Sequence, residues 1–131
     1  MYLQIINSLG NTQVTLVTSK TKVAPIKRLM IPRLELCGAH LLAQLLHHIG
    51  QVLDISLCHV HAWTDSTIVF NWLSGSPRRF KTFVGNRVSS VMELIPPEKW
   101  KHVHGFNNPA DCASRGLFPS ELLQHEIKDQ V

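Results

Sequence analysis

HAWTDSTIVFNWL, residues 61–73, decides the fold. Its opening reads as the end of a buried strand, Ser56 to Trp63, with Leu57, Val60 and Ala62 as apolar members. Ser66 to Leu73 then reads as a short helix closed by the turn Ser74-Gly75-Ser76-Pro77. Asp65 stands between them, where a strand hands over to a helix, and open α/β sheets bind ligands at such strand ends. Two further acids occupy comparable places: Glu35 in IPRLELCGAH and Asp111 in NNPADCASRG. Acids at the rim of a core are costly unless a cation neutralises them. A divalent metal does this simply, because magnesium takes oxygen ligands from a few carboxylates plus substrate phosphate. Each acid also has a plainer role. Glu35 and Asp111 fit first helical turns, where backbone dipoles favour negative charge, and Asp65 fits the N-cap of the helix beginning at Ser66.

Working outward, Tyr2 to Ile6 and Gln13 to Ser19 alternate in strand fashion around Ser8-Leu9-Gly10-Asn11, predicting a β-hairpin. From Pro32 onward, Leu34, Cys37, Leu41, Leu42, Leu45, Leu46 and Ile49 recur at helical spacing, with Gly50 as the expected end. Phe80, Phe83, Val84, Val88, Val91, Leu94 and Ile95 predict another amphipathic helix, stopped by Pro96-Pro97. Trp100 to His104 is a candidate last strand. Asn108-Pro109 opens a final helix that carries Asp111 and ends at Gly116. The order strand, strand, helix, strand, helix, helix, strand, helix describes an α/β layer protein. Trp63, Trp72 and Trp100 are expected in the core; Phe80, beside Arg78 and Arg79, could contact a nucleic-acid strand, but its helical register favours burial.

The 131 residues fit one domain, and an apolar fraction of 44% with a mean hydropathy of +0.04 describes an ordinary globular chain. No apolar run approaches the roughly 18 residues of a membrane span. MYLQIINSLGN lacks the make-up of a secretory signal, so an intracellular setting, cytoplasmic or nuclear, is expected. Cys37, Cys58 and Cys112 lie far apart in apolar segments and read as free thiols. Cys58-His59-x-His61 and His102-x-His104 lack the spacing of a zinc site, and His102 and His104 read as strand-packing residues. The net charge is +4, and the cations cluster: Arg78, Arg79, Lys81, Arg87, Lys99 and Lys101 face only Glu93 and Glu98 in their stretch. Such a patch suits a phosphate backbone or, equally, a solvated helix face.

SKTKVAP, IPRLELCGAHLLAQLL, WTDSTIVFNWL, RRFKTFVGNRVSSVMEL, W-K-H-V and NNPADCASRGL follow one another in an order that resembles the ribonuclease H-like region of Bel/Pao-type retrotransposon polyproteins. The resemblance covers about residues 1–118, leaving 119–131 as a tail toward the next polyprotein region. That region has also been labelled a Pao retrotransposon peptidase, but no protease chemistry in these residues matches the label. The resemblance implies a ribonuclease H-like mixed sheet flanked by helices, and cleavage of RNA in RNA:DNA hybrids with two Mg2+ (or Mn2+) ions. It implies that Glu35, Asp65 and Asp111 are the catalytic metal ligands. Gly105 and Asn108 belong to the G-x-x-N-x-x-A-D pattern that shapes the loop before the last helix. It implies reverse transcriptase and integrase regions as polyprotein neighbours, and no membrane. Arg78, Arg79, Lys81 and Arg87 become the candidate nucleic-acid contacts.

The sequence departs from the pattern at its start. In the ribonuclease H fold the sheet order is 3-2-1-4-5, and a fourth acid, an Asp, lies on strand 1. The hairpin here matches strands 2 and 3, so the expectation is a truncated domain whose central strand and its Asp lie upstream of Met1. Hydrolysis by this chain alone is then expected to be impaired. The alternative is a non-catalytic nucleic-acid-binding remnant or a host-adopted interaction module.

Overall fold

The first turn of the chain is organised by one side chain. Asn7 Oδ1 accepts hydrogen bonds from the main-chain N–H groups of Leu9 (3.0 Å) and Asn11 (2.8 Å), and Gly10 takes the left-handed φ of 80° needed to reverse direction. The result is an antiparallel hairpin of β1 (Tyr2–Ile6) and β2 (Thr12–Leu16), with Tyr2 opposite Leu16 and Ile6 opposite Thr12. The second strand begins one residue earlier and ends three sooner than expected. The computed structural model of the chain describes residues 1–26, 29–56 and 59–111. The hairpin shows apolar side chains to solvent: Tyr2, Ile5, Ile6 and Leu16 are all exposed.

Helix α1 (Ile31–Leu53) begins before Pro32, because a proline in the first turn removes only an N–H that has no intrahelical partner. Glu35 therefore sits in the second turn rather than the first, beyond the strongest part of the helix dipole. The helix also passes through Gly50. It ends at Asp54, in the left-handed region at φ 53° and ψ 42°, with the Ile55 N–H bonded to the Gly50 carbonyl at 2.9 Å. Its fully buried positions are Leu36, Ala39 and Ala43, while the expected stripe of Leu34, Cys37, Leu41, Leu45 and Ile49 is half-buried. Leu36 and the small alanines face the core, and Leu42 and Leu46 pack against it.

Strand β3 is short, Ala62–Thr64, and pairs in parallel with β4 (Trp100–His102), so that Trp63 stands opposite Lys101. The expected strand from Ser56 is corrected accordingly: pairing with β4 begins only at Ala62, and Leu57 and Cys58 lie outside the described residues. Alternation along β3 sends Ala62 into the core and Trp63 outward at 39% exposure. Trp63 is thus no core residue; the Lys101 ammonium lies 6.0 Å from its ring centroid. Trp100 is buried and Trp72 packs against the core, as expected.

After β3 come α2 (Thr67–Leu73), a 3-10 turn at Pro77–Arg79, and α3 (Thr82–Leu94). The third helix starts after Phe80, because the 3-10 turn closes with the Phe80 N–H on the Pro77 carbonyl and Lys81 is extended. Gly85 permits this turn to lie close to α3. A Cβ there would stand 3.0 Å from the Pro77 carbonyl oxygen and 3.4 Å from that of Phe80. One core holds these elements together: Leu36, Ala39 and Ala43 of α1, Val69 and Leu73 of α2, Val84, Val88 and Val91 of α3, then Ile95, Ala62 and Trp100. The described strands form two separate pairs, β1–β2 and β3–β4, in a mixed α/β arrangement. The helix expected beyond Asp111, its end at Gly116, Cys112 and the tail at 119–131 lie outside the described residues. Among the described residues no helix is long and apolar enough to cross a membrane.

Two stability predictions arise from these helices. His40 Nε2 lies 3.1 Å from Ser90 Oγ across the α1–α3 contact. Burial, with Arg87 and Lys22 nearby, holds its pKa below the ordinary histidine value of 6.5. Above that value both folded and unfolded chains carry it neutral. As pH falls below it the unfolded chain takes the proton first, so stability is lost on acidification. Urea midpoints measured from neutral pH downward should fall more steeply for the native chain than for His40→Gln; parallel curves would show no His40 linkage. The second concerns Ser66, the N-cap of α2, whose Oγ accepts the Val69 N–H at 3.2 Å. Ser66→Ala should lower unfolding free energy by about 1 kcal/mol, read from the same titration at neutral pH.

Candidate functional site

The parallel pairing of β3 and β4 brings two strand ends side by side. The ladder extends past β4, with the Val103 N–H donating to the Thr64 carbonyl at 3.0 Å. Beyond it, Asp65 leaves the sheet exposed to solvent. It is not the N-cap of α2, because the next residue, Ser66, points its hydroxyl back at the helix. The Asp65 carboxylate instead receives a hydrogen bond from across the strand ends: Asn108 Nδ2 donates to Asp65 Oδ2 at 3.0 Å. The His102 ring nitrogen Nε2 lies 3.2 Å from the Asp65 carbonyl oxygen, which it can meet as a donor.

Asn108 ties its own loop together as well. Its Oδ1 accepts the Ala110 N–H at 3.1 Å, and its carbonyl accepts the Asp111 N–H at 3.1 Å. Gly105 opens the 3-10 turn Gly105–Asn107 that delivers Asn108, and among the described residues a Cβ there would meet nothing within 4 Å. Asp65, Asn108 and Asp111 are thus linked through a single amide side chain and its main chain. Glu35 comes from the second turn of α1 and is half-buried.

Among the described residues no three His, Cys, Asp or Glu side chains gather into a group that could hold a metal ion. Glu35, Asp65 and Asp111 are therefore not drawn to one point, and one Asp65 oxygen is already engaged by an amide. As placed among the described residues, the three carboxylates do not form one group around a single ion. His102 and His104 are exposed rather than packed in the sheet. Their rings lie 6.2 Å apart, and that of His102 also meets Phe70 edge-on at 6.4 Å. Cys58, of the other histidine cluster, lies outside the described residues.

The cationic candidates fall into two groups. Arg78 and Arg79 on the 3-10 turn and Lys81 at the start of α3 are exposed side by side. Arg87 is folded back on its own helix, with its guanidinium carbon 3.7 Å from the Phe83 ring centroid and Nη1 donating to the Phe83 carbonyl at 3.1 Å. A cation outside the expected patch joins from α1: the Arg33 guanidinium lies 5.1 Å from the Phe83 centroid on α3. Arg33, Arg79 and Lys81 border a cleft floored by Met30, Trp72, Phe80 and Val84. Proximity of Arg33 to this patch is a tertiary contact, and only its placement in the opening turn of a helix was visible beforehand. Lys99 ends the 3-10 turn Pro97–Lys99 that precedes β4, and Lys101 lies on β4.

A family model described as Pao retrotransposon-like RNaseH-like domain matches residues 1–66. No curated protein and no solved structure matches the chain. The matched half runs from the hairpin through α1 and β3 to Asp65, and so contains two of the three acids. With that match spanning half of its length, the chain belongs to the Pao retrotransposon-like RNaseH-like domain family.

Proposed function

We propose that the chain is a nucleic-acid-binding ribonuclease H-like domain of a retroelement polyprotein, a neighbour of its reverse transcriptase and integrase regions. In complete form it would cut the RNA strand of RNA:DNA hybrids with Mg2+ or Mn2+. One observation carries this reading: Asn108 donates to Asp65 across the paired strand ends. It ties the G-x-x-N-x-x-A-D loop, and with it Asp111, to the acid that ends β3. Glu35 is the third metal-binding carboxylate of the reading. Arg78, Arg79 and Lys81 supply the exposed positive charge that a phosphate backbone requires.

The two strand pairs are the halves of one mixed sheet in this reading, β1–β2 corresponding to strands 2 and 3 and β3–β4 to strands 4 and 5. A second reading, a non-catalytic binding remnant or host-adopted interaction module, is favoured by the acids' failure to gather among the described residues.

Two experiments test the proposal. Incubated with Mg2+ and a labelled RNA:DNA hybrid, the 131-residue chain should cleave weakly or not at all. Robust cleavage that vanishes in Asp65→Asn would show the three acids to be sufficient and would overturn this expectation. Binding is measured separately. Replacing Arg78, Arg79 and Lys81 together by Ala should weaken hybrid binding and lower the salt slope by about one unit per phosphate contact removed. An unchanged slope would take the turn out of the interface.

A further inference from the structure

The cleft beside the basic turn combines two surfaces that a simple electrostatic patch does not need. Its floor is apolar and aromatic, made by Met30, Trp72, Phe80 and Val84, and its rim is Arg33, Arg79 and Lys81. No acid lines it. Trp72 and Phe80 meet at a 6.2 Å centroid separation and an angle of 57°, so the two rings form a continuous wall rather than a slot. Of the apolar lining residues Met30 is the most exposed, at 67%, and so stands toward the mouth. Arg33 is steadied over Phe83, so it reaches the cleft from a fixed base on α1.

Charge alone would attract any polyanion; the apolar floor restricts the choice. A duplex keeps its bases stacked inside and presents phosphates and sugars, which could reach the rim but not the floor. An unpaired base can leave its stack and lie against an aromatic wall while its flanking phosphates meet the cations. The cleft has a volume of about 220 Å³. That is below the roughly 300–1,000 Å³ of pockets that enclose a drug-sized ligand, and suits one flat ring system better than a whole nucleotide.

We propose that this cleft binds an unpaired base of a single-stranded nucleic acid, with adjacent phosphates on Arg33, Arg79 and Lys81. The inference rests on the nucleic-acid reading above and extends it from double-stranded substrate to a single-stranded overhang or flanking strand. The aromatic wall makes binding tolerant of base identity, and the rim makes it salt-dependent.

The test compares a short labelled oligothymidylate, an abasic strand of equal length and a blunt RNA:DNA hybrid by fluorescence anisotropy with the full chain. Oligothymidylate should bind roughly tenfold more tightly than the abasic strand and should quench tryptophan fluorescence. Met30→Glu places a negative charge at an exposed position of the mouth and should abolish that preference while leaving the far-UV spectrum unchanged. Arg33→Ala should weaken oligothymidylate binding about fivefold and lower its salt slope by about one unit. Equal affinity for the abasic strand, or full oligothymidylate binding by both variants, would overturn the proposal. So would competition by a polyglutamate peptide at the same charge concentration as the oligonucleotide, which would assign the cleft to acidic peptides. Hybrid binding without any oligothymidylate preference would defeat this inference alone, whereas failure to bind either nucleic acid would defeat the functional reading with it.

Discussion

The seam between α1 and α3 is the contact on which the other placements depend. In the core the two helices share, Ala39 and Ala43 of α1 present almost no side chain, while Val84, Val88 and Val91 of α3 present stiff, branched ones, and all are buried. Small against branched lets the helices approach closely and leaves few alternative packings, since interiors are near crystal density. His40 and Ser90 bridge the same seam with a polar contact. From it the basic turn takes its position, because α3 can receive the Pro77–Arg79 backbone only where Gly85 lacks a Cβ. Arg33 takes its place over Phe83 for the same reason. The packing of two helices thereby decides where three exposed cations stand.

The strand ends are held differently. β3 and β4 are three residues each, too short to define a loop by length alone. Their exits are defined by specific hydrogen bonds instead: Val103 to Thr64, Val69 to Ser66, Asn108 to Asp65. Each contributes on the order of 1 kcal/mol, and the last is charge-assisted. These bonds order the strand exits while Asp65 stays exposed. Among the described residues, the buried indole N–H of Trp100 finds no hydrogen-bond partner, a state that costs about 1–3 kcal/mol. Ile5, Ile6 and Leu16 on the hairpin are exposed.

Local chemistry made some of this legible in the sequence. β1 falls at Tyr2–Ile6 as expected, because alternation and a turn rich in Asn and Gly are properties of adjacent residues. The body of α1 was equally plain, but its ends were not: one depends on how a helix tolerates Pro32, the other on Asp54 adopting a left-handed conformation that no pattern announces. β3 was misplaced because its extent is set by Trp100–His102, far along the chain. The same dependence hid Arg33 from the patch and turned Trp63 outward. At the candidate site, Asp65 was visible as an acid ending a strand. Its tie to Asn108 could be anticipated only through family resemblance, since nothing in either segment alone points to the other.

Helical geometry also keeps the two charge systems of the domain apart. Arg33 and Glu35 are two residues apart on α1, so their side chains leave the helix about 200° from each other. Arg33 is on the flank that meets Phe83, and His40, on the same flank one or two turns on, meets Ser90, so that flank is the α3 side. Glu35 is consequently directed away from the cleft, and does not neutralise its rim. This separation has a functional logic. A phosphate backbone is attracted by exposed cations over roughly a Debye length, about 10 Å at moderate salt, and repelled by unpaired carboxylates over the same range. A surface bearing both must keep them on different faces, or bring the acids under a metal ion. With Asp65 held by Asn108 at the strand ends and Glu35 turned from the cleft, the described arrangement takes the first course. Its cationic cleft is thereby kept clear of both of these carboxylates.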